Sequence, residues 1–82
     1  MPQCSIPMAS IQARFGRTVR ALRSKAGYSQ ESFADSIHVH RTTMGKLERG
    51  DGNPGLDMVV KIARGLDLSL SELFVAVEKD TG

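Results

Sequence analysis

His38 and His40, one residue apart, and the single cysteine, Cys4, are the side chains of this sequence best suited to metal or covalent chemistry. A structural zinc site takes four such ligands at set spacings; the His-x-His pair has no third or fourth nearby and Cys4 lies far off, so no metal is expected. Cys4 has no second cysteine to pair with, which excludes an intrachain disulfide and fits a reducing compartment. The stretch around it, with Pro2, Ser5 and Pro7, offers no pocket to lower a thiol pKa, so a nucleophile is not expected either. No Ser-His-Asp or Cys-His arrangement, phosphate loop or pair of carboxylates in apolar surroundings occurs. The sequence therefore reads as a non-enzyme without a cofactor. What remains is the chemistry of cations. Residues 1–41 hold six basic side chains (Arg14, Arg17, Arg20, Arg23, Lys25, Arg41) against two acids (Glu31, Asp35), a net +4, whereas residues 42–82 carry a net −2. That asymmetry suits a basic face turned toward phosphate and an acidic face turned away, although a solvated helix face also carries such charge runs.

Eighty-two residues feed one hydrophobic core, and a composition of 40% hydrophobic and 24% charged residues with few aromatics suits a globular domain packed by aliphatic side chains. We expect a single domain over residues 11–77, a flexible N-terminal tail over 1–10 and a C-terminal tail over 78–82. No apolar stretch approaches the roughly 18 residues of a membrane span, and Met1 to Ser10 has no signal-peptide pattern, so a cytoplasmic protein is expected.

The apolar periodicity is helical throughout, with no strand alternation, internal repeat or low-complexity segment, so the fold is expected to be all-α with five helices. Ile11, Phe15, Val19, Leu22 and Ala26 form one stripe, with the arginines at 14, 17, 20 and 23 on its flank and mostly in solvent; Gly27 ends this first helix. Ser29 caps a second helix from Gln30 to about Ser36, with Phe33, Ala34 and Ile37 inward. After a short link a third helix runs from Arg41 to Arg49, and its only strong apolar residues are Met44 and Leu47. A helix with so little to bury keeps a long polar face for a partner. Residues 50–55 read as a loop. Leu56, Val59, Ile62, Ala63 and Leu66 mark a fourth helix, and Ser69-Leu70-Ser71-Glu72 matches the capping box that opens a fifth, where Leu70, Leu73 and Phe74 close the core.

The residue order is more specific than the helix count. Leu22-Arg23, Gly27, Ser29-Gln30-Glu31, Ala34, Val39, Arg41-Thr42, Leu47-Glu48-Arg49-Gly50, Asn53-Pro54, Ile62-Ala63, Leu66 and Leu70-Ser71-Glu72-Leu73 stand in register with the XRE-type, lambda repressor-like helix-turn-helix family, which the chain resembles from Phe15 to Phe74. The resemblance implies a five-helix DNA-binding domain whose third helix enters the major groove, with Arg41, Thr42, Gly45 and Lys46 facing the bases. Arg41 can give two parallel hydrogen bonds to guanine; Thr42 offers a methyl or a hydroxyl; Gly45 either permits close approach or leaves a base unread. By the same resemblance Gln30, at the start of the second helix where backbone N–H groups favour anions, clamps a phosphate. His40, Thr43 and Arg49 are assigned to sugar-phosphate contacts, and Arg23 with Glu48 to a structural ion pair. Two departures stand out: His38 and Asp67 occupy positions where the family has glycine, each at a strain of about 1 kcal/mol in a left-handed backbone. His40 replaces the usual Ser or Thr cap, so a weaker cap is expected there.

Double-stranded DNA is thus the expected partner, and a homodimer the expected state, because two half-sites about 34 Å apart multiply a discrimination that one small module cannot supply. With Leu73 and Phe74 assigned to the core, Val75 and Val77 are left over. They mark a partner surface near residues 70–78, and the expected seam is Val75 and Val77 together with Leu70 and Phe74 at the border of the core. The chain is also similar to controller proteins of restriction-modification systems, while phage-type repressors and antitoxins share the pattern. The alternative is a helix-turn-helix kept as a protein-interaction module; Arg41 and Lys46 on the exposed face favour DNA over it.

Overall fold

The computed structural model describes residues 10–80, which form five helices: α1 (Ile11–Lys25), α2 (Gln30–Ser36), α3 (Arg41–Arg49), α4 (Leu56–Gly65) and α5 (Leu70–Lys79). Among the described residues there is no strand, and the fold is all-α. Cys4 and the expected N-terminal tail up to residue 9 lie outside the described residues.

Helix starts follow the side-chain chemistry of the sequence. Ser10 Oγ accepts the Ala13 N–H at 3.0 Å, and Ser29 and Ser69 open α2 and α5 with reciprocal capping boxes closed by Ser32 and Glu72. The Glu72 carboxylate accepts the Ser69 N–H at 2.8 Å, which holds its pKa below the ordinary glutamate value. His40 caps α3 through its imidazole Nδ1, which accepts the Thr42 N–H at 3.1 Å.

Four of the helices also end alike. Crossed 6→1 and 5→2 hydrogen bonds, such as Val39 N–H to Ala34 O at 2.9 Å and His38 N–H to Asp35 O at 3.2 Å, stop α2, and equivalent pairs stop α1, α3 and α4. Each needs one left-handed residue. Gly27 and Gly50 supply it at φ 90° and 82°, and His38 and Asp67 supply it at 59° and 60°, as their alignment with family glycines implied.

Phe15, Val19, Phe33, Ala34, Met44, Leu47, Ile62, Leu73 and Val77 form the centre of one core. Its tightest crossing is between α1 and α3, where Gly16 lies so close to α3 that a Cβ on it would stand 2.4 Å from the Leu47 carbonyl oxygen and 2.7 Å from that of Glu48. Nothing in the sequence periodicity singled out Gly16. Gly65 plays a similar part where α4 passes Ile37 and Phe33.

Several expectations about the rim are corrected. Val77, expected at a partner surface, is only 1% exposed, while Phe74, expected both to reach the core and to line the seam, is 42% exposed. On α5 the core-facing direction passes through Leu73 and Val77, four residues apart, so Phe74 is turned off that line and packs at the rim against Phe15, ring centroids 6.3 Å apart. Ile11, Leu56 and Leu70 are likewise exposed, Leu56 at 83%. Of the arginines on the flank of α1, expected mostly in solvent, Arg17 and Arg20 are exposed, Arg14 is half-buried and Arg23 is buried. Arg14 Nε donates to the Asp80 carbonyl at 2.9 Å, and the exposed Arg17 makes a two-point pair with the Asp80 carboxylate at 3.0 and 3.1 Å. These contacts hold the end of α5 against α1, which is why the helix continues to Lys79, past the boundary expected at 77.

Candidate nucleic-acid interface

The turn from α2 to α3 occupies Ile37 to His40, and the small Ala34, fully buried, lets the two helices cross closely. The pair is locked to α1 by a buried cluster. Arg23 Nε and Nη2 donate to the two carboxylate oxygens of Glu48 at 2.7 and 3.0 Å, and Arg23 Nη1 donates to the Tyr28 carbonyl at 2.9 Å. Gln30 Nε2 joins them by donating to Glu48 Oε1 at 3.0 Å. A single carboxylate on α3 therefore receives donors from α1 and α2. The guanidinium and carboxylate satisfy one another inside a protein surface, the condition under which a buried charge is tolerated.

With that anchor set, the 100° step of an α-helix decides what α3 shows to solvent. Met44, Leu47 and Glu48 point inward, and Arg41, Thr42, Thr43, Lys46 and Arg49 are exposed. Thr42, Lys46 and Arg49 share the outer edge. Thr43 and Lys46 also line a shallow cleft with Asp51, Asn53 and Met58, so the loop after α3 stands beside the helix rather than over it. That loop is tied back to α1: Gln12 Nε2 donates to Asn53 Oδ1, and a Cβ on Gly50 would stand 2.8 Å from the Ala13 Cα. The exposed groups are hydrogen-bond donors and cations, with no apolar side chain on this face. They can hold anions and read acceptor atoms; they assemble no nucleophile or acid–base pair.

Three residues are placed differently from a simple outward ridge. Gly45 is buried, and a Cβ there would meet Arg49 Nη1 at 3.3 Å and Gln30 Oε1 at 3.6 Å. The missing side chain leaves the space over which Gln30 and Arg49 lie, so Gly45 itself does not stand on the exposed edge. Gln30 is half-buried and held by Glu48, so its amide is oriented before any ligand arrives. Arg41 lies toward α2, with Nη1 3.6 Å from Glu31 Oε1 and Nη2 3.5 Å from Asp35 Oδ2. The pairing of Arg41 with these acids, and of Gln30 with Glu48, was not anticipated; Asp35, six residues before Arg41 across the turn, was the available signal.

His38 and His40 flank Val39 in the turn, and among the described residues no group of three His, Cys, Asp or Glu side chains comes together in a way that would hold a metal ion. No helix of the described residues is long and apolar enough to cross a membrane. On α5, Leu70, Phe74 and Val75 are exposed.

An all-α fold of this kind, with a short two-helix unit presenting a cationic helix, defines a helix-turn-helix domain. Residues 19–73 match the helix-turn-helix family model HTH_3, and the chain belongs to that family. It is 43% identical over 74 residues to the control protein C.MunI of a Mycoplasma species, covering 89% of this chain and all of that one. The crystal structure of the restriction-modification controller protein C.AhdI from Aeromonas hydrophila superposes with a TM-score of 0.73 at 38% identity, covering 77% of this chain and 96% of that one. The controller protein C.Esp1396I, solved as a tetramer in complex with its natural 35-base-pair operator, shares the fold at a TM-score of 0.81 and 22% identity, over 89% of this chain and 96% of that one.

Proposed function

We propose that this protein is a sequence-specific transcriptional regulator of the controller type, binding a palindromic or nearly palindromic operator in double-stranded DNA as a homodimer. The observation that carries the reading is the exposed cationic edge of α3, held at a fixed angle to the rest of the domain by the Arg23–Glu48–Gln30 cluster. An α-helix of this width fits the major groove, where Arg41, Thr42 and Lys46 meet base edges and Gly45 lets the backbone approach. Gln30, His40, Thr43 and Arg49 border that edge and hold the sugar-phosphate strands, fixing register without reading sequence. The same fold sits on operator DNA in C.Esp1396I. A protein-interaction role for α3 is disfavoured, because its exposed face carries no apolar anchor.

The second half of the reading is the dimer. Leu70, Phe74 and Val75 leave an exposed apolar surface on α5, and pairing two copies there repeats the α3 edge about a twofold axis. Selection from a randomised duplex library tests both halves together. The expected result is an enriched sequence with two related half-sites whose centres lie about one helical turn, or a small multiple of it, apart. Absence of any enriched duplex in dilute salt would overturn the proposal.

A further inference from the structure

Glu31 and Asp35 are the only acids in the first 41 residues, and both stand beside Arg41. They lie one helical turn apart on the outer side of α2, and each reaches a different nitrogen of one guanidinium, at 3.6 and 3.5 Å. All three side chains are largely exposed, so nothing in the packing requires the arrangement. Building on the assignment of Arg41 to base reading, we propose that Glu31 and Asp35 form a second seat for the Arg41 guanidinium, in competition with the base edge, and thereby soften base preference at the one position Arg41 meets.

The consequence follows from comparing the two seats. On a duplex with guanine in place, Arg41 leaves two carboxylates and gains two hydrogen bonds to one base, so its net contribution is the difference between them. On a duplex with another base there, Arg41 returns to the carboxylates and remains paired. The penalty for a wrong base is then smaller than the full worth of the Arg–guanine contact by the worth of the acid seat. Without the acids, an Arg41 facing a wrong base has only water or a single phosphate oxygen, and the penalty grows. The two acids therefore lower affinity for the preferred duplex and widen the set of duplexes that the protein tolerates. Their negative charge also weakens binding to every duplex alike, but that effect does not depend on which base is present.

The test uses the full chain, the Glu31→Gln/Asp35→Asn double variant, Arg41→Ala, and the triple variant that combines them. Duplexes enriched by the wild type from a randomised library are compared in competition binding with duplexes changed at single base pairs. The expected result is that, in the double variant, the penalty for changing one base pair per half-site rises by about three- to tenfold, the worth of one or two exposed ion pairs, while penalties elsewhere hold. In the Arg41→Ala background the same two substitutions tighten all duplexes uniformly and sharpen nothing. An unchanged or smaller penalty in the double variant overturns the proposal, as does sharpening that persists without Arg41. A wild-type protein that enriches no sequence instead overturns the regulator reading itself. Both replacements are close in shape and exposed, and an unaltered thermal midpoint shows that the variants compared are folded.

Discussion

At the residue scale, two side chains near the same groove are expected to fail in different ways when removed. Arg41→Ala relaxes preference at one base pair in each half-site at a cost of about 1 to 3 kcal/mol on the preferred duplex, whereas Gln30→Ala weakens selected and scrambled duplexes about equally; competition binding separates the two. Equal losses on both duplexes for Arg41→Ala would remove its base-reading role. Arg23 and Glu48 belong to stability. Truncating Arg23 to Ala leaves a carboxylate with a side-chain exposure of 3% facing only Gln30, so a loss of about 3 to 5 kcal/mol is expected in denaturant unfolding. Replacing both partners by Met and Leu should cost clearly less, because no unpaired charge remains. Arg23, Gln30 and Glu48 were each legible in the sequence as family positions. The Arg23–Glu48 pair was expected too, but the joining of Gln30 to it was not, since that depends on three helices meeting at one carboxylate.

At the element scale, the angle of α3 is set by contacts that periodicity does not register. Gly16 is the clearest case. A methyl group there would collide with two carbonyls of α3, so Gly16→Ala is expected to lose about 3 kcal/mol in thermal or denaturant unfolding and to weaken DNA binding through displacement of α3. A stable Gly16→Ala variant with wild-type affinity would show that α3 has room to shift. The capping box of α5 gives a pH prediction. Glu72 has a folded pKa below its ordinary value because its carboxylate accepts the Ser69 N–H, so its contribution is present above the unfolded value and is lost as pH falls through the folded one. Glu72→Gln should therefore flatten the decline of the unfolding midpoint on the acid side of the ordinary glutamate range. An identical acid limb in both proteins would assign the decline to other carboxylates. Caps and helix stops were readable in advance, because Ser-x-x-Glu and residues able to take positive φ act over three or four residues of chain. At His40 an imidazole nitrogen accepts the N–H that a hydroxyl would otherwise take.

For the whole molecule, the relevant surface is the apolar part of α5 that the core does not use. Leu70→Lys/Val75→Lys is expected to give a monomer by sedimentation equilibrium with little change in the protomer's helicity, and to lower operator affinity by far more than either half-site contact does. A dimer that survives these two lysines would place the seam elsewhere. The end of α5 is fastened differently, by Arg14 and Arg17 of α1 holding Asp80, so the helix that carries this surface is fixed to the same element that fixes α3. Through α1, the spacing of two α3 helices in a dimer becomes a property of rigid packing.

Local patterns in the chain were enough for the five helices, the caps at Ser29 and Ser69, the left-handed backbone at His38 and Asp67, and the candidate cationic edge of α3, because each depends on neighbours a few residues apart. Which apolar residues are left outside depended on the tertiary structure. Phe74 and Val77 lie on adjacent faces of one amphipathic helix, and only the direction from which α1 and α4 pack decides that Val77 goes in and Phe74 stays at the rim. The same holds for Arg41, whose two carboxylate neighbours come from another helix, brought within reach by the α2–α3 crossing angle.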